Sequence, residues 1–139
     1  MNANGLLVGC RVLVVEDDVI IAMVLKQCLL DLGCFVVGPE GDLATALMLA
    51  EQEDIDVGIL DVKIRGGNSY AIGETLRSRG IPFVLASGNA DRALPVGVSN
   101  QARLTKPFTL PELEQCVVSL YRRSAQGGVA QRRDDPASA

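Results

Sequence analysis

The sequence predicts an α/β fold, a doubly wound parallel sheet of five strands, and three observations predict it. Short apolar runs alternate with longer segments of helical periodicity, which is the pattern of repeated βα units. Two of the runs, Val12-Leu13-Val14-Val15 and Val57-Gly58-Ile59-Leu60, read as strands buried on both faces, and each ends in acid, Glu16-Asp17-Asp18 and Asp61. At 139 residues the chain has the length of one domain with a substantial core.

The first strand covers residues 11–16 and the first helix 18–32, closed by Gly33, a residue suited to a left-handed cap. The second strand follows at 34–38. Gly38-Pro39-Glu40-Gly41 reads as a turn, after which Leu43, Ala46, Leu47 and Ala50 recur at helical spacing through residue 53. The third strand spans 57–61. A loop from Lys63 to Asn68 then leads into the third helix, 69–79, which Gly80 ends. The fourth strand takes 82–86, with Pro82 at its first position, where a missing amide donor costs least. Residues 88–100 are the least periodic, Pro95 and Gly97 interrupting a short, mobile fourth helix, and the fifth strand is 102–105. In the fifth helix Thr109-Leu110-Pro111-Glu112 fits a capping box, and Leu110, Leu113, Val117 and Leu120 form the buried stripe. Beyond Arg123 no apolar period remains. The expected organisation is an N-terminal extension over 1–9, a domain over 10–123 and a disordered tail over 124–139.

A net charge of −4 without a basic stripe weighs against nucleic-acid binding; Arg122, Arg123, Arg132 and Arg133 come late and are partly offset by Asp134 and Asp135. Cys10, Cys28, Cys34 and Cys116 show no CxxC spacing, and without histidine they complete no zinc site. They read as small buried apolar residues in a reducing cytosol. No basic region followed by a long apolar segment opens the sequence, and Val19 to Leu25 is too short to span a bilayer, so the expected setting is cytoplasmic, away from membranes. The lack of histidine also removes His-based catalysis and His phosphorylation from these residues.

With right-handed crossovers the C-terminal ends of the strands meet at one sheet edge, and Glu16, Asp17, Asp61, Ser87 and Lys106 fall at or just past such ends. Three acids gathered there repel each other, so the site makes sense with a hard divalent cation between them. Asp17 and Asp61 can bind Mg²⁺ directly and Glu16 through a coordinated water, while Asp18 is left to cap the first helix. Lys106 opposite them suits an anion carried by one of the carboxylates. Together these suggest Asp61 as an acceptor of a phosphoryl group, with the Ser87 hydroxyl and the Gly88 amide donating to phosphoryl oxygens. A new dianion pulling Ser87 inward is the expected switch.

These residues carry a resemblance to the receiver domain of two-component response regulators, the CheY-like family. The matching pieces are Val14-Val15-Glu16-Asp17-Asp18, Ile59-Leu60-Asp61-Val62-Lys63, Ala86-Ser87-Gly88 and Thr105-Lys106-Pro107-Phe108, in family order and spacing, over residues 10–123. The resemblance implies a flavodoxin-like (βα)5 fold with strand order 2-1-3-4-5, phosphorylation of Asp61, and Mg²⁺ binding by Glu16, Asp17, Asp61 and the Lys63 backbone carbonyl. It implies a histidine kinase or histidine phosphotransfer protein as donor, and often a cis peptide between Lys106 and Pro107. The implied function is that of a single-domain response regulator in a phosphorelay, switching protein contacts or acting as a phosphate sink. A homodimer through helices four and five or one and five belongs to the same expectation.

Two departures stand out. Arg65 with Gly66-Gly67 occupies the loop where many receivers have proline, and Arg103 stands three residues before Lys106, where the family usually carries tyrosine or phenylalanine. Rotation of an aromatic ring beside Ser87 therefore cannot operate. Ile81-Pro82-Phe83-Val84-Leu85-Ala86-Ser87-Gly88 is similar instead to an atypical stand-alone group of alphaproteobacteria with a Pro-Phe-x-Phe-Ala-Thr-Gly-like segment, Leu85 and Ser87 replacing Phe and Thr. An aspartate-nucleophile phosphatase would want a second aspartate two residues after the first, where Lys63 stands. The remaining alternative is a phosphorylation-independent interaction module with the same fold.

Overall fold

The computed structural model describes residues 5–88 and 103–127. In chain order the elements are β1 (Arg11–Val15), α1 (Val19–Asp31), β2 (Phe35–Glu40), α2 (Leu43–Gln52), β3 (Val57–Asp61), β4 (Lys63–Ile64), β5 (Gly67–Asn68), α3 (Tyr70–Ser78), β6 (Phe83–Ser87), β7 (Arg103–Thr105) and α4 (Leu110–Gly127). Five strands form one parallel sheet in the order β2-β1-β3-β6-β7. With the two-residue hairpin strands β4 and β5 set aside, this is the order 2-1-3-4-5 of a flavodoxin-like fold.

Alternation along the strands sorts the core into two layers. Val12, Val14, Val57, Ile59, Val84 and Ala86 meet Leu25 and Leu29 of α1 and Leu113, Val117 and Leu120 of α4. On the other face Leu13, Val15, Leu60 and Leu85 meet Ala46 and Ala50 of α2 and Ile72 and Leu76 of α3. Every residue of β3 and β6 is buried, which is why those strands read as unbroken apolar runs. The register sets Asp61 beside Ala86 and Ser87 beside Thr105, so the strand ends that carry polar groups lie next to one another.

The structure departs from the sequence reading in four places. β2 continues through Pro39 to Glu40, so the expected turn at 38–41 is strand for most of its length. As the edge strand of the sheet, β2 needs no amide from Pro39 for an outer neighbour, and its pairing to β1 is irregular between Leu13 and Val15. The expected loop 63–68 contains the antiparallel hairpin β4–β5. Leu7, in the expected N-terminal extension, is fully buried in the α1–α4 layer. α4 runs four residues past Arg123 to Gly127, because Ser124, small and buried, takes the next position of the Leu113-Val117-Leu120 stripe.

The fourth helix expected in 88–100 and the tail beyond Gly127 lie outside the described residues. Among the described residues the four cysteines form no disulfide, Cys10 and Cys34 being buried and Cys28 and Cys116 partly so. No helix of the described residues is long and apolar enough to cross a membrane.

Candidate functional site

Glu16 follows the last residue of β1, and its side chain turns into the sheet edge, 4% exposed. The Asp18 amide donates to its Oε2 at 3.1 Å, and the Lys106 ammonium donates to its Oε1 at 2.9 Å. Asp18 caps α1, accepting from the amides of Ile20 and Ile21 at 3.0 and 3.1 Å, which leaves Asp17 free of that duty. Asp61 ends β3 and is buried, with its Oδ1 3.2 Å from the Lys106 Nζ. One lysine thus bridges two carboxylates that come from different strands. Carboxylate oxygens of Glu16, Asp17 and Asp61 all lie within 4.8 Å of one another.

The electrostatics follow from this crowding. Burial, seconded by the neighbouring Glu16 charge, pushes the Asp61 carboxyl up from 3.8 to about 6 against the pull of Lys106. Burial also works against the charge on Lys106. Its hydrogen bond to Glu16 and the charges of Asp61 and Glu16 outweigh that, and its pKa lies above the ordinary lysine value. Three oxygen-donor side chains around one point, with the Asp61 carboxyl raised by burial and by the Glu16 charge, fit a hard divalent cation such as Mg²⁺.

Ser87 ends β6, 3% exposed. Its carbonyl accepts from the Lys106 amide at 2.9 Å, tying it to the strand end that carries the lysine. Gly88 follows, and a Cβ there would meet nothing within 4 Å. Lys63 pairs with Asn68 in the β4–β5 hairpin directly after Asp61-Val62. The peptide between Lys106 and Pro107 is cis, as is that between Gly38 and Pro39.

Two contacts had no counterpart in the sequence reading. Arg65 Nη1 donates to the Asp17 carbonyl at 3.4 Å, placing a guanidinium at the rim of the acidic pocket. Gly41 makes this possible: a Cβ there would fall 2.6 Å from the Asp17 Cα and 3.0 Å from Arg65 Nη2. The signal was present as an arginine before two glycines, but nothing local says where it reaches. The second contact is Arg103 Nη2 to Ser87 Oγ, at 3.4 Å.

A sequence profile of the response regulator receiver domain matches residues 12–118, more than half of the chain. Among curated proteins, the transcriptional regulatory protein PdtaR of Mycobacterium tuberculosis is 35% identical over 129 residues, 86% of this chain and 63% of that protein. The transcriptional activator protein IrlR of Burkholderia pseudomallei is 33% identical over 117 residues, 81% of this chain and 51% of that protein. The chain therefore spans less than two thirds of the length of these relatives. Among solved structures, SdrG from Sphingomonas melonis Fr1 superposes with a TM-score of 0.71 at 37% identity, over 81% of this chain and 96% of that one. The receiver domain of sensor histidine kinase PA1611 from Pseudomonas aeruginosa, solved with magnesium coordinated in its active-site cleft, shares the fold. Its TM-score is 0.73 at 23% identity, over 82% of this chain and 98% of that one.

Proposed function

The chain belongs to the response regulator receiver domain family, and from that membership we propose that it takes a phosphoryl group onto Asp61 from a phosphohistidine and changes its protein contacts in response. The observation that carries this reading is the Lys106 ammonium bridging Glu16 and Asp61 at 2.9 and 3.2 Å within a three-carboxylate pocket. That arrangement serves a nucleophilic carboxylate whose product is an anion in the same place.

In the proposed step an Asp61 oxygen attacks phosphorus and the P–N bond of the donor breaks. The electron pair leaves with the imidazole nitrogen, and an acyl phosphate forms. Lys106, already against Asp61 Oδ1, stabilises charge on the transferring oxygens. A Mg²⁺ held by Glu16, Asp17, Asp61 and the Lys63 backbone carbonyl would neutralise the crowded acids and the phosphoryl oxygens. Ser87 and Gly88, at the end of the strand beside β3, supply the hydroxyl and amide that receive the new oxygens. The domain is a phosphoacceptor that promotes its own phosphorylation and dephosphorylation rather than a turnover enzyme.

The donor fits a histidine kinase or histidine phosphotransfer protein. Beside the pocket runs an apolar groove of about 600 Å³ lined by Ile20, Val24, Phe108, Leu110 and Leu113, with Lys106 also on its wall. A helical partner seated there would bring a phosphohistidine to Asp61. We assign the output to protein contacts, in a reducing cytoplasm that suits four cysteines outside any disulfide, and assign no nucleic-acid contact to a chain of net charge −4.

Incubation with acetyl phosphate and Mg²⁺, read by intact mass, tests the reading. A single phosphate adduct on the wild type, absent in Asp61→Ala and in the presence of chelator, is expected. An undiminished adduct in Asp61→Ala contradicts it.

A further inference from the structure

Arg103 opens β7, where it pairs with Leu85 of β6, and its Nη2 approaches the Oγ of Ser87 at 3.4 Å. A guanidinium has donors only, so in this contact the serine oxygen accepts. The hydroxyl hydrogen of Ser87 is then left to donate elsewhere. Ser87 is buried and Arg103 is exposed, so a cation at the surface holds one side of a hydroxyl inside the site. N–H···O bonds settle at about 2.9–3.0 Å, so this contact is long and can shorten. Arg103 also borders a shallow depression shared by β7 and α4, together with Thr105, Glu112, Gln115 and Ser119.

We propose that Arg103 is a positioning residue of the phosphoryl site. It holds Ser87 with its hydroxyl hydrogen free for a phosphoryl oxygen on Asp61, and it carries the arrival of that charge to the β7–α4 surface. The inference rests on Asp61 being the phosphoacceptor. Before phosphorylation the guanidinium orients the hydroxyl. Once a dianion sits on Asp61, its field draws Arg103 and Ser87 inward together, and the arginine withdraws from the depression that it borders. An arginine thereby does by attraction what an aromatic side chain, which this position lacks, could do only by filling space.

The test uses the full chain with acetyl phosphate and Mg²⁺, following the rate of adduct formation by intact mass in wild type, Arg103→Ala, Arg103→Lys, Ser87→Ala and the double Ala variant. Arg103→Ala is expected to slow the adduct about fivefold, Arg103→Lys to recover part of the loss, and Arg103→Ala to add nothing once Ser87 is Ala. The side-chain Nε–H resonance of Arg103 should shift on phosphorylation of the wild type and shift less in Ser87→Ala, where no hydroxyl ties the guanidinium to the site. Lack of an Asp61 adduct in wild type overturns the phosphoacceptor reading and this inference with it. Normal adducts with equal rates in wild type and Arg103→Ala, or losses that add fully in the double variant, overturn the role of Arg103 alone. Equal melting temperatures across the set exclude misfolding as the cause of a slow rate, and Arg103→Lys carries the test should Arg103→Ala melt early.

Discussion

Asp61 is the side chain whose folding cost and proposed use have the same origin. Burial and the Glu16 charge hold its carboxyl near 6 in the cation-free protein, above its ordinary 3.8. The folded state therefore binds this proton more tightly than the unfolded chain does. The stability this contributes is fully present below about 3.8 and lost as pH rises through 6. Removing the charge should relieve the strain: in chelator, Asp61→Asn is expected to be more stable than wild type above pH 7, by on the order of 1–3 kcal/mol. That difference should shrink toward zero near pH 4. Melting curves across this range check it, and a gap independent of pH would contradict the electrostatic account. Mg²⁺ should raise the wild-type melting temperature at pH 7.5, above the Asp61 pKa of about 6, and leave Asp61→Asn nearly unmoved. At this scale the sequence was informative about residue type and position. Glu16, Asp17, Asp61 and Lys106 do converge, because strand ends in a parallel sheet must. The Arg103–Ser87 and Arg65–Asp17 contacts were not legible, since both join residues far apart in sequence through long side chains whose direction only the tertiary structure sets.

Among the elements, those whose periodicity came from burial were the legible ones. β1, β3 and β6 are apolar runs because helices cover both faces, and α4 begins with the expected box: Thr109 N donates to Glu112 Oε1 at 2.7 Å and Glu112 N to Thr109 Oγ1 at 3.2 Å. Thr109→Ala should therefore cost about 1 kcal/mol in chemical denaturation, with the extent of phosphate adduct unchanged. Loss of the adduct would mean that the cap also shapes the Lys106-Pro107 segment before it. α3 shows a constraint of another kind. A Cβ on Gly73 would meet the Phe83 ring at 2.8 Å, so Gly73→Ala is expected to lose more from overpacking than it gains in helix propensity, a net cost of about 1 kcal/mol. An equal or higher stability would show that the ring can move. The second strand was legible at 34–38, whereas its continuation to Glu40 and the β4–β5 hairpin were not, for a common reason. Neither is buried enough to impose a pattern: Gly38 is exposed and Pro39 and Glu40 only partly buried, and both residues of β5 are exposed.

At the scale of the molecule, one apolar patch of the described residues adjoins the acidic pocket. Val19, Ile20, Met23 and Val24 of α1 are all more than half exposed, and Leu110 of α4 is half exposed, beside the groove that reaches Lys106. An exposed apolar patch beside the acidic pocket is what a docking phosphodonor would need. Ile20→Glu, at a position 73% exposed, should fold normally and react normally with acetyl phosphate, while transfer from a phosphorylated histidine kinase falls on the order of tenfold. Equal loss with both donors would move the effect from docking to the site itself. The exposed face of α1 was hard to read from sequence, because the helix is apolar nearly all round and periodicity separates faces only when they differ. The central claim is that Asp61 forms the acyl phosphate. Borohydride reduces an aspartyl phosphate to homoserine, and peptide mass spectrometry after acetyl phosphate and Mg²⁺ treatment reads where that occurs. Homoserine is expected at position 61 in the wild type and nowhere else. Reduction at another acid, or a stable phosphate on Ser87 with position 61 intact, would contradict it.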